Sequence, residues 1–495
     1  MFDSVIVAAR DRKWLAEIAG TLSRFGLGSL TARLGLGGKG NGNGGGEADP
    51  VRLREAIETL GPTFVKLGQI LATRTDLLPP VWTAELEKLH STAPTLPFDE
   101  LRPAVEAALG APPEEVFASF DTEPLAAASI AQVHRATTHD GRDVAVKIRR
   151  PGIRPLMEAD LRLIAHLAKV AESAPALARY RPREMVRLLA EAVLEELDFT
   201  SEARNAERMA QCFARNPRVV VPAIHWDWTS ETLLVSDFVT GTPPLSAEAL
   251  QQAGIDPDAI ATLGADMVLD MLLIHGLFHG DPHPGNLLCQ PGNRIALLDF
   301  GMVGRVSPRR REEMLGFVQA IERGDAARLA EVTGQWIEGG DPARIAASAE
   351  RLVNRHSGRP LVLAGLITDM MGEIRELEGA LPADLILIFK AMVTIDGVLG
   401  RIAPGFDLNA AAARVGTRVI AARLHPDAVQ DRLAALLGEF SSASDQFPEL
   451  LRAARQRLLA PPPANRAADL ATAIRPIALA LFAGLLAIAA AIAWA

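Results

Sequence analysis

Asp281 and Asn286 stand in the run HGDPHPGNLL (279–288) with four residues between them, and Asp299 opens Asp-Phe-Gly thirteen residues after Asn286. These types at this spacing suit phosphoryl transfer. A carboxylate such as Asp281 can orient a nucleophile or take its proton. An amide oxygen such as that of Asn286 can hold a metal ion, and a second carboxylate can bridge Mg²⁺ to nucleotide phosphates. Asp299 follows the apolar run Ile295-Ala296-Leu297-Leu298, which reads as a strand, so its carboxylate should emerge at a strand end. Each piece alone is a weak signal; the two in order and in register are a strong one. His279 and His283 flank Asp281, but two histidines in a proline-rich loop without a third ligand do not make a zinc site. Both are assigned structural roles.

Phosphates also need a cation. In Val144-Ala145-Val146-Lys147 a period of two puts Ala145 and Lys147 on one strand face. A lysine beside a small alanine, facing a cleft, can reach α- and β-phosphates. A carboxylate should fix that lysine, and EAVLEELDFTSEARN (191–205) offers Glu195, Glu196, Asp198 and Glu202. Helical spacing puts Glu195, Asp198 and Glu202 on one face, and geometry alone does not choose among the four. Upstream, PLAAASIAQVHRA (124–136) takes the place of a phosphate-covering turn but has no glycine. The backbone amides of Ala127, Ala128, Ser129 and Ile130 are the candidates to face phosphates there, in a stiffer turn than glycine would give.

The elements that must position these groups follow from pattern. Leu53, Ile57, Leu60, Phe64, Leu67 and Leu71 recur at three- and four-residue steps, which predicts an amphipathic helix over 51–77 broken near Gly61-Pro62. A second helix is expected at 81–90. Strands are predicted at 131–137 and 143–149 around Asp140-Gly141, and a further strand pair at AIHWDW (223–228) and ETLLVSDFV (231–239). Residues 155–172 and 182–214 read as helix, and most of the chain after Gly241 does too. Strands first and helices after, with chemistry at the join, predicts two lobes.

The bulk properties set bounds. The 495 residues allow two or three domains, and 49% hydrophobic with 22% charged composition is globular. A net charge of -9 argues against a dominant nucleic-acid surface. Two cysteines, Cys212 and Cys289, make no disulfide framework, so a reducing compartment is expected. LGLGGKGNGNGGGEADP (34–50) reads as a flexible linker, because no strand precedes its glycines. Residues 477–495 carry no charge, follow Arg475 and end near Trp494, which predicts a C-terminal membrane anchor with the rest of the chain on the cytoplasmic side.

These motifs together resemble the UbiB/ADCK family of atypical protein-kinase-like proteins, linked to ubiquinone biosynthesis. The resemblance spans about residues 50–420 and rests on FVKLGQ (64–69), PLAAASIAQVH, VAVK, EELDFTSEARN, HGDPHPGN and LLDFG. It implies an α+β fold: an atypical protein-kinase-like two-lobed fold with an N-terminal helical extension and a C-terminal membrane helix. The expected division is a helical segment 1–33, the linker 34–50, the extension 51–115, an N-lobe 116–240, a C-lobe 241–420, a helical region 421–473 and an anchor 474–495. The resemblance implies that Lys66 and Gln69 of K-x-G-Q lie over the nucleotide and block a peptide groove. It makes Glu196 and Asp198 a regulatory E-x-D element and Glu202 the partner of Lys147. It places Ser236–Val239 at a hinge, with Asp237 and Val239 beside adenine. ATP and Mg²⁺ are the implied cofactors. Membrane lipids, polyprenyl quinone intermediates and quinone-biosynthesis proteins are the implied partners, at the inner face of a membrane; a homodimer is left open. No A-P-E segment follows Gly301, which argues against protein substrates. Two other readings stay open: an ATP-switched scaffold or lipid-extraction factor, and a soluble phosphotransferase of the aminoglycoside or choline kinase type, which also uses HGD-x₄-N.

Overall fold

The computed structural model describes residues 49–419, apart from 74–77, 90–93, 174–181, 338–339, 358–362, 378, 380, 407–410 and 412–413, together with 17, 18, 20, 21, 24 and 25. Among these, no helix is long and apolar enough to cross a membrane. The expected anchor at 474–495, the helical region 421–473, the linker up to 48 and most of the segment 1–33 lie outside the described residues.

The expected break at Gly61-Pro62 separates α1 (Pro50–Leu60) from α2 (Pro62–Thr73). Asp49 caps α1 by accepting the Val51 N–H at 3.0 Å. Helix α3 (Pro80–Leu86) is followed by a short turn that brings Leu89 against α2. The approach is close: a Cβ on Gly68 would meet Leu89 Cδ1 at 2.3 Å. Glycine in K-x-G-Q thus leaves room for the Leu89 and Ile57 side chains, and a larger residue there would make them repack. Ile57, Leu60, Phe64, Leu86 and Leu89 pack with Leu163 and Ile164 of the later helix α6 (Ile153–Glu172), so the extension shares a core with the rest of the chain.

Helices α4 (Phe98–Leu109) and α5 (Pro113–Val116) lead into an antiparallel sheet. Its strands are β1 (Ser119–Phe120), β2 (Ala126–Ala127), β3 (Ala131–Thr137), β4 (Asp143–Arg149) and, later in the chain, β6 (Leu233–Asp237), in the order β1-β3-β4-β6 with β2 also paired to β3. Strands β3 and β4 have the predicted bounds. Val144, Val146 and Ile148 are fully buried against Phe98, Leu101, Val105 and Phe117, while Ala145 and Lys147 face the other way. The second strand of the pair at 223–239 forms, but AIHWDW does not. Ile224 makes one bridge to Ser236 and Trp226–Trp228 is a 3₁₀ turn. The ladder stops after two backbone bonds, His225 N–H to the Val235 carbonyl and Asp237 N–H to the Ala223 carbonyl, both at 2.9 Å. Beyond them side-chain bonds take over: the Trp226 indole donates to Glu207 at 2.6 Å and the Thr229 hydroxyl to the His225 carbonyl at 2.9 Å.

The helix expected over 182–214 is two helices, α7 (Pro182–Glu196) and α8 (Phe199–Cys212). Asp198 is extended and caps α8, accepting the Thr200 N–H at 2.9 Å and its hydroxyl at 2.7 Å. The reading of Glu195, Asp198 and Glu202 as one helical face therefore fails, because an aspartate that caps the N–H two residues on starts a new helix instead of continuing the old one.

The second lobe is built on α9 (Ala247–Gln252), α10 (Pro257–Asp270), α11 (Pro308–Arg323), α12 (Ala326–Trp336), α13 (Pro342–His356), α14 (Leu363–Glu376) and α15 (Ala383–Ile402), which contribute to one large apolar core. Its two chemical loops are held by short strands, of which β9 matches the strand expected before Asp299 and the others were concealed by the helix pattern. β7 (Leu277–His279) pairs with β10 (Val303–Arg305), and β8 (Leu287–Gln290) with β9 (Arg294–Leu297); β9 also pairs in parallel with β5 (Val219–Val220).

Candidate active site

Strand β4 and helix α8 bring Lys147 and Glu202 together. Lys147 Nζ lies 2.8 Å from both Glu202 carboxylate oxygens and 3.8 Å from Asp299 Oδ2. Glu202 sits in the first turn of α8, so the Asp198 cap fixes where it starts and hence where Glu202 points. Three helical residues on, Asn205 Nδ2 donates to the Phe300 carbonyl at 3.2 Å and ties the same helix to the Asp-Phe-Gly backbone.

Asp299 follows β9. Its Oδ1 accepts the Gly301 N–H at 2.8 Å, which leaves Oδ2 toward Lys147. Asn286 is pinned twice: its Nδ2 donates to the Asp281 carbonyl at 3.1 Å and its own carbonyl accepts the Leu298 N–H at 3.0 Å. Among the described residues no hydrogen bond is made by Asn286 Oδ1. Asp281 receives Lys390 Nζ at 3.1 Å on Oδ1 and His283 Nε2 at 3.8 Å on Oδ2. The Asp281 N–H donates to His279 Nδ1 at 3.1 Å, so the ring proton belongs on Nε2. His279 is buried beside Phe300, and burial holds its pKa below the ordinary value.

Electrostatics distinguish the two carboxylates around Lys147. Burial pushes Glu202 up to about 6, despite the pull of Lys147. Burial acts on Asp299 in the same sense, but the Lys147 charge and the Gly301 N–H outweigh it and bring Asp299 down to about 2. Lys147 is opposed by burial, yet the charges of Asp299 and Glu202 raise it above its ordinary value. One lysine and two acids leave the cluster negative, which suits a site for a divalent cation. Among the described residues no three His, Cys, Asp or Glu side chains converge as a metal cage. An ion such as Mg²⁺, which commonly keeps waters and takes part of its shell from phosphates, would need only oxygens of the kind that Asp299 Oδ2 and Asn286 Oδ1 offer.

The Glu202 shift predicts a pH dependence. Its folded pKa lies above the unfolded 4.5, so the folded state binds the proton more tightly. Its contribution is favourable below about 4.5 and is lost as pH rises through about 6. In metal-free buffer, the folding stability should rise on going from pH 7.5 to 5, by on the order of 1 kcal/mol from this group, because the unfolded carboxyl is itself still mostly ionised at pH 5. Denaturant titrations of wild type and Glu202→Gln should differ in this slope; an identical slope would reject the assignment.

Residues 88–333 match the family model for the ABC1 atypical kinase-like domain. The chain is 31% identical over 411 residues to a protein named Probable protein kinase UbiB from Marinobacter nauticus, covering 81% of this chain and 75% of that one. This chain belongs to the ABC1/UbiB family of atypical kinase-like proteins. It is also 34% identical to the uncharacterised protein sll0005 of Synechocystis over 72% of its own length. The chain spans 54% of that relative and 63% of a second Synechocystis protein, sll1770. The solved structure of Rv3197 from Mycobacterium tuberculosis, determined with erythromycin, superposes with a TM-score of 0.52 at 24% identity over 72% of this chain and 89% of that one. That likeness bears on the fold, which is kinase-like α+β.

In this ABC1 kinase-like chain the K-x-G-Q residues meet the site as follows. Lys66 Nζ contacts Glu196 Oε2 at 2.6 Å, and the Lys66 charge also acts on Asp299. Gln69 Nε2 donates to the Leu89 carbonyl at 3.1 Å, so Gln69 holds α2 to the following turn. Glu195 is exposed and outside the cluster.

The alanine-rich turn differs from the expectation of a run of free amides. The Ala128 N–H donates to the Ala131 carbonyl at 2.8 Å, and Ala127 is paired in register with Gln132. A two-residue hairpin tip requires that closing bond, which occupies the Ala128 amide; Ser129 and Ile130 stand at the tip, and the Ala127 amide, next to a bonded one on edge strand β2, turns away from β3. Arg150 clamps the turn from behind, with Nε on the Ala128 carbonyl and its N–H on that of Ile130, both at 2.9 Å. At the hinge, the Asp237 amide donates to the Ala223 carbonyl, its Oδ1 meets His225 Nε2 at 2.8 Å, and the Phe238 amide donates to Asp143. Among the described residues the Val239 backbone makes no such bond, which leaves it as the hinge position open to a base edge.

Sequence reasoning missed Asn205, Arg150 and Lys390. Asn205 lies in a motif already singled out, and Arg150 follows VAVK directly. Nothing in the local sequence marks Lys390, which sits in an apolar helix 109 residues after Asp281.

Proposed function

We propose that this chain is a Mg²⁺-dependent, ATP-binding atypical kinase or ATPase that acts at a membrane in support of ubiquinone biosynthesis. The observation that carries the reading is the meeting of Lys147, Glu202 and Asp299, drawn from three distant stretches of chain, within 3.8 Å. Bound ATP with Mg²⁺ supplies the transferable phosphoryl group. Lys147, fixed by Glu202, holds phosphate oxygens; Asp299 and Asn286 hold the metal; Asp281 orients the attacking oxygen and takes its proton. The Ser129 and Ile130 amides and Val239 complete the nucleotide site, with Lys66 and Glu196 over it and Asp198 fixing Glu202. The membrane part rests on the uncharged run at 477–495, and the quinone part on the motif resemblance to the UbiB/ADCK family.

The test is Mg²⁺-dependent ATP turnover by the full chain, with and without anionic liposomes. Asp281→Asn should lower kcat roughly 100-fold, toward the low end for a proton acceptor because transfer to an oxygen is largely dissociative. Wild type that neither binds nor hydrolyses ATP would end this reading.

An ATP-driven switch is a second reading, favoured by the 2.6 Å contact of Lys66 on the extension with Glu196 at the end of α7. Quinone production restored by Asp281→Asn with nucleotide binding intact would select it.

A further inference from the structure

The loop from Asp281 to Asn286 reads Asp-Pro-His-Pro-Gly-Asn and contains no lysine or arginine. Phosphoryl transfer depends on cations placed around the moving group, because charge spreads over its peripheral oxygens. Lys147 is held 2.8 Å from Glu202 and 3.8 Å from Asp299, so it is engaged with carboxylates other than the one that opens this loop. A cation for the transfer end must come from elsewhere in the chain.

Helix α15 supplies one. Its Lys390 Nζ lies 3.1 Å from Asp281 Oδ1, and the lysine side chain is 29% exposed, so it borders the cleft rather than the interior. The placement is built in. One turn earlier on the same helix, Leu387 Cδ1 lies 3.1 Å from where a Cβ on Gly280 would stand, and Met302 Cγ lies at 2.8 Å from it. Glycine before Asp281 lets the loop press against α15, and a residue three positions after Leu387 then faces Asp281. The neighbours Ile388, Phe389 and Met392 are buried and fix the helix rotation. Glu87 of the extension also feels the Lys390 charge, so the ammonium is within electrostatic reach of the extension as well as of the catalytic loop.

We infer that Lys390 is the second phosphate-binding cation of this site: it holds the Asp281 carboxylate in the nucleotide-free protein and contacts the terminal phosphate of a bound nucleoside triphosphate. The inference rests on the proposed ATP-dependent function and adds to it a residue that the motifs do not contain. A cation aimed at the terminal phosphate separates triphosphate from diphosphate, whereas one that only steadies Asp281 treats both alike.

The experiment measures binding of ATP and of ADP, each with Mg²⁺, by calorimetry on the full chain, for wild type, Lys390→Met, Lys390→Arg and the charge-balanced double variant Lys390→Met/Asp281→Asn. In Lys390→Met the affinity for ATP should fall about tenfold, the loss of one exposed charge-assisted phosphate contact, while that for ADP stays within about twofold. Lys390→Arg should recover most of the loss. The double variant leaves no unpaired carboxylate, so it keeps the comparison available if the single variant unfolds, and it should show the same selective loss of ATP. Equal loss of ATP and ADP, or an unchanged ratio, in a folded variant would overturn the inference while wild-type binding leaves the ATP-dependent reading standing. Wild type that binds neither nucleotide would remove both.

Discussion

Asp299→Asn is expected to lower Mg²⁺-dependent ATP turnover by on the order of 1,000-fold, the largest loss of any single change at this site. Asp299 is the acid whose carboxylate stays charged to about pH 2 and whose Oδ2 faces Lys147. Asparagine keeps the shape and can still accept the Gly301 N–H, but it removes the negative charge that would attract the cation. Charge stabilisation dominates phosphoryl transfer, so this change should exceed the effect at Asp281. Removing the Asp299 charge also removes one of the forces raising Glu202, which should then titrate lower. Steady-state turnover against Mg²⁺ concentration reads the first effect, and carboxylate NMR of Glu202 the second. Turnover within tenfold of wild type at saturating Mg²⁺ would show that Asp299 does not hold the metal.

The second large effect is on stability. Lys147→Met should destabilise the protein by about 3–5 kcal/mol at pH 8, because Glu202 is then left buried beside Asp299 with no cation between them. The cost should shrink at pH 5, where Glu202 takes up a proton and stops being a buried charge. Lys147→Met/Glu202→Gln should recover most of the loss at pH 8, since the pair is removed rather than broken. Urea unfolding at the two pH values tests all three statements. A single variant as stable as wild type at pH 8 would mean that the ion pair contributes nothing and that Lys147 is held by packing, such as its 5.3 Å approach to the Phe199 ring.

Much of this arrangement was legible in the residues. Strands β3 and β4 were predicted to the residue, because a period of two with one fully apolar face has few alternatives. The break at Gly61-Pro62 followed from proline's missing N–H. Errors came where a local competitor opposed the pattern. Asp198 stopped a helix that hydrophobic periodicity would have carried through, and side-chain bonds at Trp226 and Thr229 replaced a strand. The short strands β7, β8 and β10 were hidden because three or four residues are too few to show a period.

The residues in order already carry the inventory of this protein: a phosphate-type lysine on a strand, an Asp-x₄-Asn loop, an Asp-Phe-Gly turn, and the succession that makes two lobes. Each depends on neighbours within a few residues, where spacing fixes geometry. Tertiary structure alone decided which partners these groups have. Among the five acids in 191–205, between which spacing did not choose, it put Glu202 against Lys147 as the family resemblance implied; it gave Glu196 to Lys66, and it placed Lys390 on Asp281 across 109 residues of chain. Such pairings are set by how packed helices and a glycine-permitted close approach orient whole elements, and nothing in local spacing records that orientation.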